Sequence, residues 1–141
     1  MKRKWPPETP LLTVDAVIKT TGGIVLVKRK YPPLGWALPG GFVEIGETVE
    51  EAVCREASEE TNLRITNLWL AGVFSDPARD PRFHTVSVVF GAEATGEPTG
   101  RDDAIEAEVF KIENLPEDIV FDHRKIIERY LELLQKMTSK F

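Results

Sequence analysis

The segment from Thr48 to Thr61 constrains this sequence most, because it puts carboxylates where a helix should pack. Thr48 with Glu51 three residues on makes a capping-box signature, and Asn62 suits a left-handed helix stop, so a helix is predicted from about Thr48 to Thr61. At about 100° per residue from Val49, Ala52 falls at about 300°, Val53 at about 40° and Ala57 at about 80°. That apolar arc is the face expected to meet a sheet. Glu56 at about 340° and Glu60 at about 20° lie inside the arc, and Glu59 at about 280° lies on its edge. Glu50 and Glu51 lie outside it and need no special account.

Carboxylates on a packing face cost free energy unless they are paired or metal-bound. Three of them in one sector also raise one another's pKa values. Arg55 can pair with Glu59 at i, i+4, but one guanidinium does not neutralise three acids. A divalent cation does, and oxygen-only ligands favour Mg²⁺, Mn²⁺ or Ca²⁺ over zinc. An acidic face tilted to solvent is the other reading, and spacing alone leaves both open. Gly40-Gly41, just ahead of the helix, would let backbone groups approach a ligand closely, although a tight turn also uses such a pair.

The charge distribution sharpens the point. Between Glu44 and Glu60 there are seven acids and one base, a net −6 in seventeen residues, while the other 124 sum to +1. Residues 1–43 carry a net +5. The overall −5 therefore comes from one segment, which argues against bulk electrostatic binding of nucleic acid. A length of 141 residues suits one domain spanning 1–141. The single cysteine, Cys54, excludes an internal disulfide framework. The longest apolar stretches fall far below the ~20 residues that cross a bilayer. The opening Met1-Lys2-Arg3-Lys4-Trp5-Pro6-Pro7 turns to proline where a signal peptide needs an apolar region. A soluble, cytoplasmic protein with no membrane partner is the expectation.

Elsewhere the chain reads as short strands and one further helix. Leu11–Lys19 alternates with Val14, Ala16 and Ile18 on one face, and Thr20-Thr21-Gly22-Gly23 turns it into a buried strand at Ile24–Lys30. Extended pieces are expected at Trp36–Leu38 and Gly41–Val43 around Pro39-Gly40-Gly41, then at Leu63–Phe74, Thr85–Ala94 and Glu106–Ile112. Ser75–Phe83 and Thr95–Asp103 read as loops. Asp122 is expected to cap a last helix running to about Met137, with Phe121 and Ile126 at the hydrophobic-staple positions. The resulting fold class is α/β, a mixed sheet packed between helices.

Gly41, five residues, Glu47, seven residues, then Arg55-Glu56-Ala57-Ser58-Glu59-Glu60-Thr61-Asn62-Leu63 resembles the Nudix box, Gly-x5-Glu-x7-Arg-Glu-U-x-Glu-Glu-x-Gly-U with U apolar. Every specified position matches except the final Gly, where Asn62 stands. Trp36-Ala37-Leu38-Pro39-Gly40 also looks like the family's lead-in. The resemblance implies a Nudix α/β/α sandwich that hydrolyses a nucleoside diphosphate linked to another moiety, using Mg²⁺ or Mn²⁺. It implies that Glu56, Glu59 and Glu60 hold metal together with the Gly40 carbonyl, next to Gly41. It further implies that Arg55 orients the glutamates and Glu47 supports the loop before the helix. A general base would be a box glutamate or an acid of the Thr95–Glu106 loop, where Asp102, Asp103 and Glu106 are the candidates.

The substrate lies outside the box. Ser75-Asp76-Pro77-Ala78-Arg79-Asp80-Pro81-Arg82-Phe83-His84 resembles the matching segment of small ADP-ribose pyrophosphatases, with Pro77 at about that subfamily's marker position. Phe121-Asp122-His123-Arg124 is similar to them as well. Arg79, Arg82 and Arg29 are candidates for phosphate contacts, against the alternative of pairing with a nearby Asp. The implied reaction is hydrolysis of ADP-ribose to AMP and ribose 5-phosphate by a homodimer whose partner is a small molecule. Its rivals are a diadenosine polyphosphate hydrolase, a sanitiser of oxidised nucleoside triphosphates, and a non-catalytic ADP-ribose sensor. His84 reads as a hydrogen-bonded strand-start residue rather than a ligand, His123 as a residue in a helix's first turn, and Cys54 as packing. Trp5, Trp36 and Trp69 are core or stacking candidates.

Overall fold

Five consecutive residues of one strand, Val14 to Ile18, are buried, which requires cover on both faces of the sheet. The computed structural model describes residues 4–100 and 104–139. Among them, one mixed sheet is built from β1 (Leu11–Thr20), β2 (Gly23–Arg29), β3 (Trp36–Ala37), β4 (Gly40–Phe42), β5 (Thr66–Phe74), β6 (Thr85–Glu93) and β7 (Ala104–Phe110). Helices α1 (Val49–Thr61) and α2 (His123–Ser139) supply the cover. Val14, Ala16 and Ile18 pack with Ala52, Val53 and Ala57 of α1. Val17, from the other face of β1, packs with Ile126, Ile127 and Tyr130 of α2. The mixed α/β sheet between helices is the expected one. No helix among the described residues is long and apolar enough to cross a membrane.

The sheet forks at β1, and the fork positions the site. One edge of β1 runs parallel to β6 over its length, from Leu11↔Thr85 to Lys19↔Glu93. Its other edge is shared. β2 pairs with it antiparallel at the hairpin end, Lys19↔Ile24 and Thr20↔Gly23. β4 pairs with it at the opposite end, from Thr13↔Phe42 to Asp15↔Gly40. Beyond the hairpin β3 pairs with β2 at Val27 and Lys28, and β7 pairs with β2 from Ile24↔Phe110 to Arg29↔Ala104. The chain therefore crosses from the β2 layer to β1 between Ala37 and Gly40.

The capping box is present as predicted: the Thr48 hydroxyl accepts the Glu51 N–H, and the Glu51 carboxylate accepts the Thr48 N–H. Asn62 closes α1 at φ 59°, its N–H bonded to the Ser58 carbonyl. Some details differ from expectation. The last strand is Ala104–Phe110 rather than Glu106–Ile112, because its partner β2 begins at the hairpin and the ladder ends at Ile24↔Phe110. Ile112–Asn114 then makes one 3-10 turn. β5 starts at Thr66 rather than Leu63, since Leu63 and Ile65 pack into the α1 side of the core first. Phe121 does not join Ile126 as a staple. It packs with Val27, Ala37, Ala104 and Ala107, while Ile126 lies in the α2 core.

Candidate active site

The Gly40-Gly41 backbone lies between β1 and the Glu56 and Glu60 carboxylates of α1, where a side chain would press on one or the other. A Cβ on Gly41 would stand 2.4 Å from Glu56 Oε2, and one on Gly40 would stand 2.1 Å from the Val14 carbonyl oxygen. The Gly40 N–H donates to Glu60 Oε1 at 3.3 Å. Burial and the neighbouring Glu56 charge push the Glu60 carboxyl up to about 9. Burial raises Glu56 as well, with Arg55 opposing the shift. Glu59 is the more open of the set, its side chain 46% exposed.

Arg55 braces this face. Its Nε donates to Glu47 Oε2 at 2.6 Å, and one terminal nitrogen donates to Glu47 Oε1 and to the Phe42 carbonyl, both at 3.0 Å. Its other terminal nitrogen bonds Glu56 and, at 3.2 Å, Glu59. Those hydrogen bonds hold the Glu47 carboxyl down at about 2. Glu47 also accepts the Glu44 N–H at 2.9 Å, so Arg55 and Glu47 tie the loop after β4 to α1.

No three acidic, His or Cys side chains among the described residues stand as a closed ligand set for an ion. Glu56 and Glu59 are instead turned to Arg55. The donor chemistry nevertheless fits a hard divalent cation, because every candidate ligand is an oxygen and one arginine faces several acids. Rotation of the glutamate side chains would be needed to gather them.

These groups line a cleft of about 430 Å³, within the range of small-molecule sites. Arg29, Arg82 and Phe121 line it too. The guanidinium carbons of Arg29 and Arg82 stand 5.0 and 5.3 Å from the Phe121 ring centre, a cation–π arrangement from two sides of the chain. Arg29 Nε donates to the Pro33 carbonyl at 2.8 Å, and Arg82 pairs with Asp80 at 2.9 Å.

The remaining sequence candidates are placed less centrally. Arg79 borders the cleft but is buried, and its guanidinium binds Asp122 in two hydrogen bonds of 2.8 and 3.0 Å and Thr85 at 2.7 Å. The pairing alternative describes it, and the Asp122 carboxylate thought to cap α2 is engaged there. Pro77 is exposed and does not line the cleft. Glu106 is exposed on β7 opposite Lys28 and does not line it either. Asp102 and Asp103 lie outside the described residues. Trp36 meets Phe110 edge-on and Trp69 stacks on Tyr130, which makes both of them core residues, whereas Trp5 is exposed. Cys54 packs against the α1 core, and a ring nitrogen of His84 lies 3.0 Å from the Ser75 carbonyl.

The sequence reading passed over Asp15 and set His123 aside, yet both line the cleft. Asp15 is buried on β1, where it bonds the Ser87 hydroxyl, and burial raises its carboxyl to about 7. The signal was a lone acid inside an otherwise apolar strand. His123 opens α2, fully buried, and its Nδ1 accepts the Leu38 N–H at 2.9 Å. Burial and the nearby Arg79 and Arg29 charges lower its pKa to about 3, so the ring is neutral.

Acid oxygens held against backbone inside a ligand-sized cleft are the donor set that a hard divalent cation takes. The chain belongs to the Nudix family: the NUDIX domain model matches residues 9–130, and members generally act with divalent metal ions. It is 51% identical over 125 residues to an ADP-ribose pyrophosphatase of Methanocaldococcus jannaschii, covering 86% of this chain and 73% of that protein. It spans about half the length of some other curated relatives that it matches. A MutT/nudix family protein from Enterococcus faecalis superposes with a TM-score of 0.83 at 32% identity, covering 92% of this chain and 63% of that one. The NUDIX domain of Shewanella oneidensis NrtR, solved with ADP ribose, superposes at 0.81 with 26% identity and 94% coverage of each.

Proposed function

We propose that the chain hydrolyses the pyrophosphate bond of ADP-ribose to AMP and ribose 5-phosphate, with Mg²⁺ as the working cation and Mn²⁺ as a substitute. The observation that carries this reading is the packing of Glu56 and Glu60 against Gly40-Gly41 inside the cleft, with Glu59 beside them. The substrate is supported by the name of the 51%-identical relative and by the neighbour solved with ADP ribose.

Glu56, Glu59, Glu60 and the Gly40 carbonyl would hold the cations. Divalent ions held there would supply charge neutralisation for the pyrophosphate and a more acidic water. Arg55 and Glu47 hold the loop and α1 in register, and Arg55 can release Glu56 and Glu59 to a stronger cation. Arg29 and Arg82, backed by Phe121, bind the substrate's remaining anionic or planar groups. A box glutamate or an acid of the Thr95–Glu106 loop takes the proton of the attacking water. The reading extends to a single domain, a homodimer and a cytoplasmic setting, with a small nucleotide rather than nucleic acid as partner.

The test is a product assay on ADP-ribose, diadenosine tetraphosphate and 8-oxo-dGTP, with Mg²⁺ and with EDTA. AMP from ADP-ribose, abolished by EDTA, is the expected result. Preference for another substrate would retain the metal chemistry and discard ADP-ribose. Tight ADP-ribose binding without turnover of any compound would make the chain a sensor.

A further inference from the structure

The stretch that carries Gly40 has an awkward backbone. Ala37 still pairs with Val27 of β2, and Gly40 already pairs with Asp15 of β1. Leu38 and Pro39 bridge the fork between these partners. Pro39 has no N–H to offer, and its carbonyl accepts the Ala16 N–H at 2.9 Å. The Leu38 N–H is buried and lies on neither ladder, so it needs an acceptor from elsewhere. That acceptor is His123 Nδ1, reached across 85 residues of sequence.

We propose that His123 is a positioning residue for cation binding: by holding the Leu38 N–H it sets the course of the backbone through Pro39 to Gly40, whose N–H meets the Glu60 carboxylate and whose carbonyl is a ligand in the reading above. The inference rests on the metal-site reading above and adds a residue from α2 to it. Because Nδ1 accepts, the ring proton sits on Nε2, and Nε2 faces Asp15 Oδ1 at 3.6 Å. Asp15 in turn receives the Ser87 hydroxyl and lies 3.9 Å from Arg79. Arg79 grips Asp122, the residue before His123. The imidazole is thus flanked on both sides: the Leu38 N–H fixes its tautomer, Asp15 lies beyond Nε2, and the Arg79–Asp122 pair anchors the helix end that bears it. Gly40 itself has no side chain to anchor, so its carbonyl is only as well placed as its neighbours' hydrogen bonds make it.

Direct Mn²⁺ binding, read by the electron paramagnetic resonance of the free ion, tests this without turnover. In His123→Asn the amide oxygen can stand about where Nδ1 stands and accept the Leu38 N–H. In His123→Gln the amide reaches the Nε2 position and leaves that N–H without a partner. The expected result is near-native Mn²⁺ affinity for Asn and a loss of about 10–100-fold for Gln, the range found when outer-shell partners of metal ligands are removed. The KM for ADP-ribose at saturating metal should change little in either. Equal losses in the two variants, or none in Gln, overturn the proposal. A second arm needs no variant: ¹⁵N spectra of the native protein should show a neutral ring, protonated on Nε2, with a coupling across the hydrogen bond to Leu38. A ring protonated on Nδ1 overturns the proposal whatever the variants do. Glu60→Gln is the control for the reading beneath it. If native protein and Glu60→Gln bind Mn²⁺ alike, the metal site itself is wrong, an outcome distinct from His123 being idle.

Discussion

α1 and α2 cover opposite faces of one sheet and follow different rules in doing so. α2 buries Ile126, Ile127 and Tyr130 in an ordinary apolar stripe, and its one buried imidazole sits at its first residue. α1 buries only Ala52, Val53, Ala57 and Thr61, and it keeps Glu56 and Glu60 partly buried among them. Small residues bring α1 close enough to the Gly40-Gly41 backbone for the acids to touch it. The comparison teaches that one helix is selected for cohesion and the other for holding charge where charge is costly. The same property that weakens α1 as a packing element is the one the proposed cation site requires.

The largest effect that tests this contrast is on turnover. Glu60→Gln should lower kcat by about 100–10,000-fold at saturating Mg²⁺, in line with losses of other groups that act at a reacting centre. The same variant should melt no lower than the native protein in EDTA, because it removes a buried ionisable group and keeps the shape. Near-native turnover, or a collapse of the melting temperature, would make Glu60 a structural residue like those of α2.

Ile127→Ala probes the other helix. It should cost about 2–5 kcal/mol of unfolding free energy, measured by urea titration, as large-to-small core changes do. The folded fraction should retain its kcat; a parallel loss of Mn²⁺ affinity would show that α2 cohesion and the cation site are inseparable.

Acidity separates the helices more finely. Glu60 and Asp15 have folded values raised from 4.5 to about 9 and from 3.8 to about 7. Raised acids contribute stability that is full below the unfolded pKa and is lost as pH rises through the folded one. His123, lowered from 6.5 to about 3, works the other way, but only below pH 6.5. In EDTA the melting temperature should therefore fall between pH 6.5 and 9, and excess Mg²⁺ should reverse the fall at the upper end. A flat profile in EDTA would mean that these acids are solvated rather than buried.

Thr48→Ala is the smallest test. Loss of the capping hydroxyl should cost about 0.5–2 kcal/mol by denaturant titration, with kcat unchanged. A large drop in kcat would place the start of α1, and not only its acid face, in the site.

Much of this molecule could be read from local pattern. The capping box at Thr48, the stop at Asn62 and the alternation of Val14, Ala16 and Ile18 depend on residues a few positions apart, and the structure contains all three. The angular clash of Glu56 and Glu60 with Val49 and Val53 also follows from a single helical period. Strand ends were less accessible, because a strand ends where its partner does. Ile112 belongs to no ladder since β2 has already turned into the hairpin at Gly23.

By itself, then, the sequence determined the elements and the chemical character of the α1 face, since helical and strand periodicity and capping act over short range. Only the tertiary structure decided what meets that face. Asp15, Leu38, Arg79, Asp122 and His123 are scattered over more than a hundred positions, and no periodicity relates them. They come together because the sheet forks at β1, and a fork leaves polar backbone that must find a partner wherever the fold provides one.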